Sequence, residues 1–398
     1  MKLASRMGKL PPIPTLAMNT KAAELKAQGV DVISFAAGEP DFDTPDHIKE
    51  GAIKALRDGQ TKYTAVSGIP ALRQAICDWV AEHKGVTYTP DEIICTVGGK
   101  QSVFNALHVL LEEGDEIVIP APIWVAYEPV ATLAGARVVR VETSEENNFK
   151  MTREELAAAM SPRTKLVVIN SPCNPSGCVY TRAEIEGIAA EVLAHPSAMV
   201  LTDEIYGKLL YDGEEHVSIA SLSPEMKART LLLDGFSKTY AMTGWRMGYT
   251  CAPREIVKAM DTLQGQSTSN VTTFAQYGGI AALQGPHDFL DGWRAEYDKR
   301  RQAIVEGMNS IDGLSCVMPK GAFYVFPRIS NLFGRQGPNG EITDSMDVGV
   351  YFLEHAQCAA VPGVGFGDDR YIRFSYATSL ENVKEGIERL RAAVSLLG

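Results

Sequence analysis

A chain of 398 residues is longer than one simple hydrophobic core serves, and suits one large domain joined to a smaller one. With 49 acidic against 38 basic residues the net charge is -11, which disfavours nucleic acid or an anionic membrane as partner and requires any phosphate site to be built locally. Seven cysteines (Cys77, Cys95, Cys173, Cys178, Cys251, Cys316 and Cys358) show no C-x-x-C spacing and mostly lie in apolar segments, as reduced core thiols do.

No unbroken apolar block follows Lys2 and Arg6, only Pro11, Pro12 and Pro14, so neither a signal peptide nor a membrane span is expected and the cytoplasm is the expected compartment. Residues 1–30 read as an irregular arm followed by a short amphipathic helix over 20–28. A short strand over 32–35 runs into a Pro-bracketed turn containing Gly38. A helix over 46–57 leads to a loop with Tyr63, and Gly68-Ile69-Pro70 opens another helix.

From residue 93 the pattern is regular. Strands are predicted over 93–97, 115–120, 138–143, 165–170, 199–203, 230–234 and near 248–252. Helices are predicted over 100–112, from about 125, over 153–160 and over 181–193, the first from apolar residues at Val103, Phe104, Leu107, Leu110 and Leu111. Such alternation indicates an α/β fold with a mostly parallel, doubly wound sheet, whose ligands sit beyond the strand C-termini. Gly99, Trp124, Asn174, Asp203 and Lys238 each end or follow a strand. Beyond about 285 the composition changes to that of a smaller α+β domain, with helices over 287–309, over 346–357 and from Leu380, apolar segments over 314–318 and 321–326, and a strand over 371–375. The expected division is 45–285 for the large domain, and 1–44 with 286–398 for the small one. Gly363-Val364-Gly365-Phe366-Gly367 mimics a nucleotide fingerprint but opens no helix.

Several residues carry chemical meaning of their own. Lys238 follows the buried run Leu231-Leu232-Leu233 in a turn with Ser237, eight residues before Arg246; apolar surroundings and a nearby cation lower a lysine pKa and make the amine nucleophilic. Glycines at a helix start, here Gly98 and Gly99, expose backbone N–H groups to anions. Asn174 lies between Pro172 and Pro175, in a rigid turn that aims its amide. Asp203 ends a buried strand, where a carboxylate needs a cation.

The stretch Gly235-Phe236-Ser237-Lys238 with Arg246 resembles the lysine segment of the class I aminotransferases, pyridoxal-phosphate enzymes of fold type I. The likeness extends over nearly the whole chain and is strongest to the bacterial aspartate and aromatic aminotransferases. It implies pyridoxal 5'-phosphate as cofactor, amino acids and 2-oxo acids as substrates, and a homodimer. It implies that Lys238 binds the cofactor and shuttles the proton, that Asp203 holds the pyridine nitrogen protonated, and that Tyr206 and Asn174 reach its phenolic oxygen. Trp124 stacks on the ring. Ser237, Arg246, Gly99, Lys100 and Gln101 neighbour the phosphate, with Tyr63 reaching it from the other subunit. Gly38 and Arg373 take the substrate α-carboxylate, although on an alternating strand Arg373 by itself would point to solvent. No metal is implied. Two departures stand out. Gly235 replaces a phosphate-binding serine, and Pro11 falls where a lysine would meet a side-chain carboxylate, leaving Lys9 two residues away as substitute. A β-lyase or cyclopropane-carboxylate synthase shares these motifs. A pyridoxal-binding regulator would add a DNA-binding module, and a dinucleotide oxidoreductase would need a G-x-G-x-x-G turn.

Overall fold

The computed structural model describes residues 3–10, 14–338 and 340–398, without the side chains of residues 9, 14–17 and 19. Pro11 and the Lys9 side chain, expected near a substrate carboxylate, therefore lie outside the described residues. Helix α1 (Pro14–Ala27) begins earlier than the expected 20–28. Proline at the first helical position lacks only an N–H that would have no helical partner anyway, so the arm's prolines do not delay the start.

The chain continues through β1 (Ile33–Ser34), α2 (Asp46–Arg57), α3 (Pro70–Lys84), β2 (Ile93–Thr96), α4 (Gly99–Leu110), β3 (Glu116–Ala121), α5 (Tyr127–Ala134) and β4 (Arg137–Glu142). Next come α6 (Arg153–Ala159), β5 (Thr164–Asn170), α7 (Arg182–Ala194), β6 (Met199–Asp203), the single turn α8 (Pro224–Lys227), β7 (Thr230–Gly235) and β8 (Gly248–Cys251). Reciprocal capping boxes, Thr152 with Glu155 and Thr181 with Glu184, start α6 and α7. Strands β2 to β8 make one sheet in the order β2-β8-β7-β6-β5-β3-β4, with β8 antiparallel to both neighbours and every other pair parallel. The central strands β6 and β7 are almost wholly buried, which is why they read as unbroken apolar runs. Edge strand β4 instead carries exposed Arg137, Arg140 and Glu142.

Besides the single turn α8, two longer helices lack a forerunner in the sequence pattern, α9 (Arg254–Gly265) and α10 (Thr273–Gln284). In α10 the pair Gly278-Gly279 is a packing surface: an added Cβ at Gly278 would lie 2.5 Å from the Trp245 ring, and one at Gly279 2.4 Å from the Met247 methyl. The Lys238 loop thus rests through Trp245 and Met247 on a helix that only glycine lets come so close.

The remainder holds α11 (Phe289–Asn309), β9 (Tyr324–Val325), the small hairpin β10 (Gln336–Gly337) and β11 (Gly340–Glu341), α12 (Ser345–His355), β12 (Cys358–Ala359), β13 (Val361–Pro362), β14 (Ile372–Ser375) and α13 (Leu380–Val394). Strands β13, β14 and β9 form an antiparallel sheet, and β1 pairs in parallel with β12. One apolar cluster joins Ile33 and Phe35 to Tyr297, Phe323, Phe352, Phe374 and Leu390, so the segment around β1 packs with the C-terminal third. The apolar segment 314–318 makes no strand, only a bridge between Ser315 and Arg328. Gly363–Phe366 is a single 3-10 turn. Among the described residues no helix is long and apolar enough to cross a membrane.

Candidate active site

The C-terminal ends of the parallel strands open into a cavity of about 490 Å³, closed from the other side by β14, β9 and the loop after β1. Its walls include Gly38, Gly99, Lys100, Trp124, Asn174, Asp203, Tyr206, Ser237, Lys238, Arg246 and Arg373, so eleven of the residues singled out above converge on one space. Gln101 and Tyr63 do not. Gln101 spends its amide on the Val97 N–H (2.6 Å) and on Thr268, because the first turn of α4 directs it along the outside of the helix. Tyr63 is 90% exposed.

Lys238 leaves β7 through a tight turn and donates its Nζ to the Gly38 carbonyl. Burial pushes its pKa down to about 8; Glu39 opposes the shift, while Arg373 and Arg246 add to it. A substantial part of the amine is therefore neutral near physiological pH. Across the cavity Asp203 is 4% exposed and accepts from Tyr127 Oη (2.6 Å) and the Ile205 N–H (3.2 Å). Burial raises it to about 6 even against the Tyr127 hydrogen bond. Its two partners are neutral, so it sits with a desolvated charge and no cation among the described residues.

A second part of the cavity is built for an anion. Helix α4 is preceded at its N-cap by Gly98, whose φ of +75° favours glycine, and the Arg246 guanidinium lies directly over it: an added Cβ would sit 2.8 Å from Arg246 Nη2. Arg246 donates to the Thr243 carbonyl (2.9 Å) and forms no ion pair among the described residues. Lys100 Nζ lies 5.3 Å from the Trp124 ring centroid, its pKa lowered by burial and then by Arg246. With buried Ser237 these groups surround the positive end of a twelve-residue helix.

Arg373 completes the arrangement. Contrary to the simple alternation rule it is 3% exposed, since all four residues of β14 are buried between layers. Its Nη2 donates to the Ala36 carbonyl (2.7 Å), its Nη1 to Asn174 Oδ1 (3.2 Å), and its Nε has no partner. The guanidinium lies over the rings of Tyr324 (4.6 Å) and Phe366 (5.1 Å). A buried cation with only neutral partners calls for an anion. Gly38 leaves room for one, because an added Cβ there would stand 3.3 Å from Tyr324 Oη and 3.8 Å from Arg373 Nη1.

Residues at the cavity or in contact with its lining that are absent from the sequence reading are Tyr127, Tyr324 and Asn170. Tyr324 shares a hydrogen bond with Tyr206 (2.8 Å), and Asn170 Oδ1 accepts the Asn174 N–H (2.9 Å). Each is an ordinary strand or helix residue whose role depends on tertiary approach, and the sequence carried no local signal for it. Gly235 is also explained: a Cβ there would meet Gly248 Cα at 2.9 Å and the Met247 carbonyl at 3.1 Å, so the β7–β8 contact excludes a serine. On the opposite side of the strand ends, Lys84 bridges Glu204 (2.8 Å) and Asp234 (2.9 Å), and His216 contacts Glu204 (2.7 Å). Among the described residues no cluster of three or more His, Cys, Asp or Glu is set to hold a metal ion.

The family description "Aminotransferase class I and II" matches residues 30–390. The chain belongs to that family. It is 47% identical over 390 residues to an aspartate aminotransferase of Geobacillus stearothermophilus, covering 98% of each chain. An aspartate/prephenate aminotransferase of Nitrosomonas europaea is 42% identical over 397 residues, 99% of this chain and 100% of that one. The crystal structure of the Rhizobium meliloti aspartate aminotransferase superposes with a TM-score of 0.96 at 41% identity, covering 100% of both chains. This aminotransferase is thus an enzyme of fold type I that transfers an amino group between an amino acid and a 2-oxo acid. The lyase, regulator and oxidoreductase readings are not favoured.

Proposed function

We propose that this aminotransferase uses pyridoxal 5'-phosphate and takes aspartate or glutamate as amino donor. The observation that carries the reading is the set of buried, uncompensated charges in one cavity: a carboxylate without a cation at Asp203, an anion cup at Arg246 and Lys100, and an arginine with an orphaned Nε at Arg373. A molecule with a cationic ring nitrogen at one end and a phosphate at the other satisfies the first two, and a substrate carboxylate satisfies the third. Ser237, Gly99, Lys100 and Arg246 would hold the phosphate, Trp124 the ring face, and Tyr206 and Asn174 the phenolic oxygen. Bound there, pyridoxal phosphate supplies an electron sink for the carbanion formed at the substrate's Cα.

The chain's own residues do the rest. Lys238, whose depressed pKa keeps part of the amine neutral, would anchor the cofactor and carry the proton to and from the substrate's Cα as general base and acid. Asp203, a buried carboxylate without a cation, would hold the ring nitrogen and favour its protonated form. Arg373 grips the α-carboxylate through its fork, with the bare backbone at Gly38 beside it. Asn174 fixes the guanidinium through Oδ1. We take 45–285 as the cofactor-binding unit and 1–44 with 286–398 as the smaller unit that supplies Arg373. A cytoplasmic homodimer is part of the same reading.

Relatives named aspartate and aspartate/prephenate aminotransferases support an acidic donor and a range that extends to other oxo acids. We place the side-chain carboxylate near Lys9, with aromatic and neutral donors competing within about an order of magnitude, one pocket contact being worth roughly 1–3 kcal/mol. The test is kcat/KM for aspartate, glutamate, phenylalanine and alanine in the wild type and in Lys9→Ala, alongside bleaching of the cofactor's visible band by each donor. Failure of every amino acid to bleach it overturns the aminotransferase reading. A strict aspartate preference that survives Lys9→Ala overturns the Lys9 assignment alone and turns attention to Lys100, already inside the cavity.

A further inference from the structure

The turn that presents Asn174 is flanked by two cysteines, and their placement is closer than a chance pair of core thiols. The Cys173 N–H donates to the Cys178 carbonyl (3.0 Å) and the Gly177 N–H to the Cys173 carbonyl (2.9 Å), so residues 173 and 178 face each other across a closed turn. One backbone hydrogen bond thus joins the two residues, and a disulfide between them needs Cα atoms roughly 4.4–6.8 Å apart. The Cys173 thiol donates to the Pro122 carbonyl (3.9 Å) and the Cys178 thiol to the Phe149 carbonyl (3.8 Å), and their proximity moves their acidities apart, Cys178 downward and Cys173 upward. Both are free thiols, 4% and 6% exposed. A pair with one more acidic sulfur and a second sulfur in contact is the arrangement of an attacking and a resolving cysteine.

We propose that Cys173 and Cys178 form an oxidisable pair whose disulfide displaces Asn174 and stops turnover. With hydrogen peroxide as oxidant, the Cys178 thiolate attacks one peroxide oxygen, breaking the O–O bond and leaving a sulfenic acid and water once a proton is taken up. The Cys173 sulfur then attacks the sulfenic sulfur, its proton leaving with the hydroxyl as a second water. Two thiols give one disulfide, and their two electrons reduce one peroxide to two waters.

The consequence for Asn174 follows from where the turn can yield. Its Gly177 side is clamped: the Gly177 carbonyl accepts from the N–H groups of Lys320 (3.0 Å) and Gly321 (2.9 Å), and an added Cβ at Gly177 would lie 2.4 Å from Pro319 Cβ. A sulfur–sulfur bond is about 2 Å long, shorter than any non-bonded contact of two thiols, so closing it strains the turn between the clamped Gly177 and Asn174, whose own N–H is tied to Asn170 Oδ1 (2.9 Å). Asn174 also holds the 3.2 Å hydrogen bond to Arg373. A misplacement of about 1 Å in a positioning group costs on the order of a hundredfold in rate. The effect on turnover rests on the proposed roles of Asn174 and Arg373; the disulfide itself does not.

The experiment starts from the fully reduced holoenzyme with its activity measured first, which settles the aminotransferase reading separately. Peroxide is then added, thiols are titrated after denaturation, and peptides are mapped by mass spectrometry without reduction. The expected result is the loss of two thiols, a crosslinked 173–178 peptide lighter by two hydrogens, and a fall in kcat/KM of about tenfold to a hundredfold that dithiothreitol reverses. Cys173→Ser and Cys178→Ser, which keep the size and polarity of the side chain, are expected to retain the basal rate and lose the reversible inhibition. Peroxide that leaves both thiols intact, or converts Cys178 to a sulfinic acid without a crosslink, overturns the pair. A mapped disulfide with unchanged kcat/KM overturns its control of Asn174.

Discussion

Lys238 and Asp203 show the same physical cause acting on opposite charge types. Burial disfavours the ionised form of each, bringing the lysine down to about 8 and the aspartate up to about 6, so that both titrate near the working pH. In the cofactor-free protein Asp203 loses its proton later than in the unfolded chain, whose value is 3.8. The unfolded state therefore binds fewer protons between about 4 and 6, stability falls as pH rises through that window, and the penalty is complete above it. Its size is about 3 kcal/mol at 1.36 kcal/mol per pH unit. Asp203→Asn removes it, and the apo-protein at pH 7 is expected to melt at higher temperature than the wild type, with the difference vanishing below pH 4. Turnover moves the other way. An amide cannot pair with a protonated ring nitrogen, and losing one partner of a buried charge pair costs roughly 3–5 kcal/mol, several hundred-fold or more in rate. A variant with near-normal kcat would remove Asp203 from the reaction. For Lys238→Ala the expectation is a folded protein that still retains pyridoxal phosphate non-covalently but has no turnover. Borohydride treatment of the wild-type holoenzyme, followed by peptide mapping, should label Lys238 and no other lysine.

At the scale of elements, the parts of the site legible in the sequence are those that sit at the end of a buried strand. The apolar runs before Asp203 and Lys238 stop abruptly at polar residues, and such a stop is visible without knowing what lies opposite. The antiparallel turn of β8 and the helices α9 and α10 were less visible, because Gly278-Gly279 reads as a break and becomes a helix face only when Trp245 and Met247 pack on it. Tyr127 and Tyr324 became site residues through contacts 76 and 118 positions away in sequence, which no local pattern encodes. Gln101, which the family resemblance set beside the phosphate, hydrogen-bonds Val97 and Thr268. Gly235 supplies a prediction at this scale. Restoring the serine of the wider family forces its Cβ against Gly248 and Met247 in the middle of the β7–β8 pair. Gly235→Ser should therefore cost about 1–3 kcal/mol of stability, seen as a lower melting temperature, and should not tighten cofactor binding. Tighter binding at unchanged stability would mean the strand pair yields more easily than its close approach indicates.

Considered as a whole molecule, one chain builds nearly the entire cavity yet leaves Tyr63 outside it, on a surface loop with 90% of its side chain exposed. An aromatic that far into solvent packs against nothing in its own chain, and the resemblance to class I aminotransferases implies that it reaches the other subunit. We therefore expect a two-fold homodimer in which each Tyr63 serves the partner's cofactor phosphate. The symmetry gives a quantitative test, since a closed dimer repeats the same composite site twice. Tyr63→Ala and Lys238→Ala are each expected to be strongly impaired alone. Unfolded together and refolded as a mixture, half of the dimers are hybrids. In each hybrid one site receives an intact Lys238 from one chain and an intact Tyr63 from the other, while its second site lacks both. Recovered activity should then approach about one quarter of the wild type, provided the two sites work independently. If Tyr63 acted within its own chain, every site would still lack one of the two residues and mixing would restore nothing. Full activity in a wild-type sample shown by sedimentation to be monomeric at assay concentration would equally exclude the shared site.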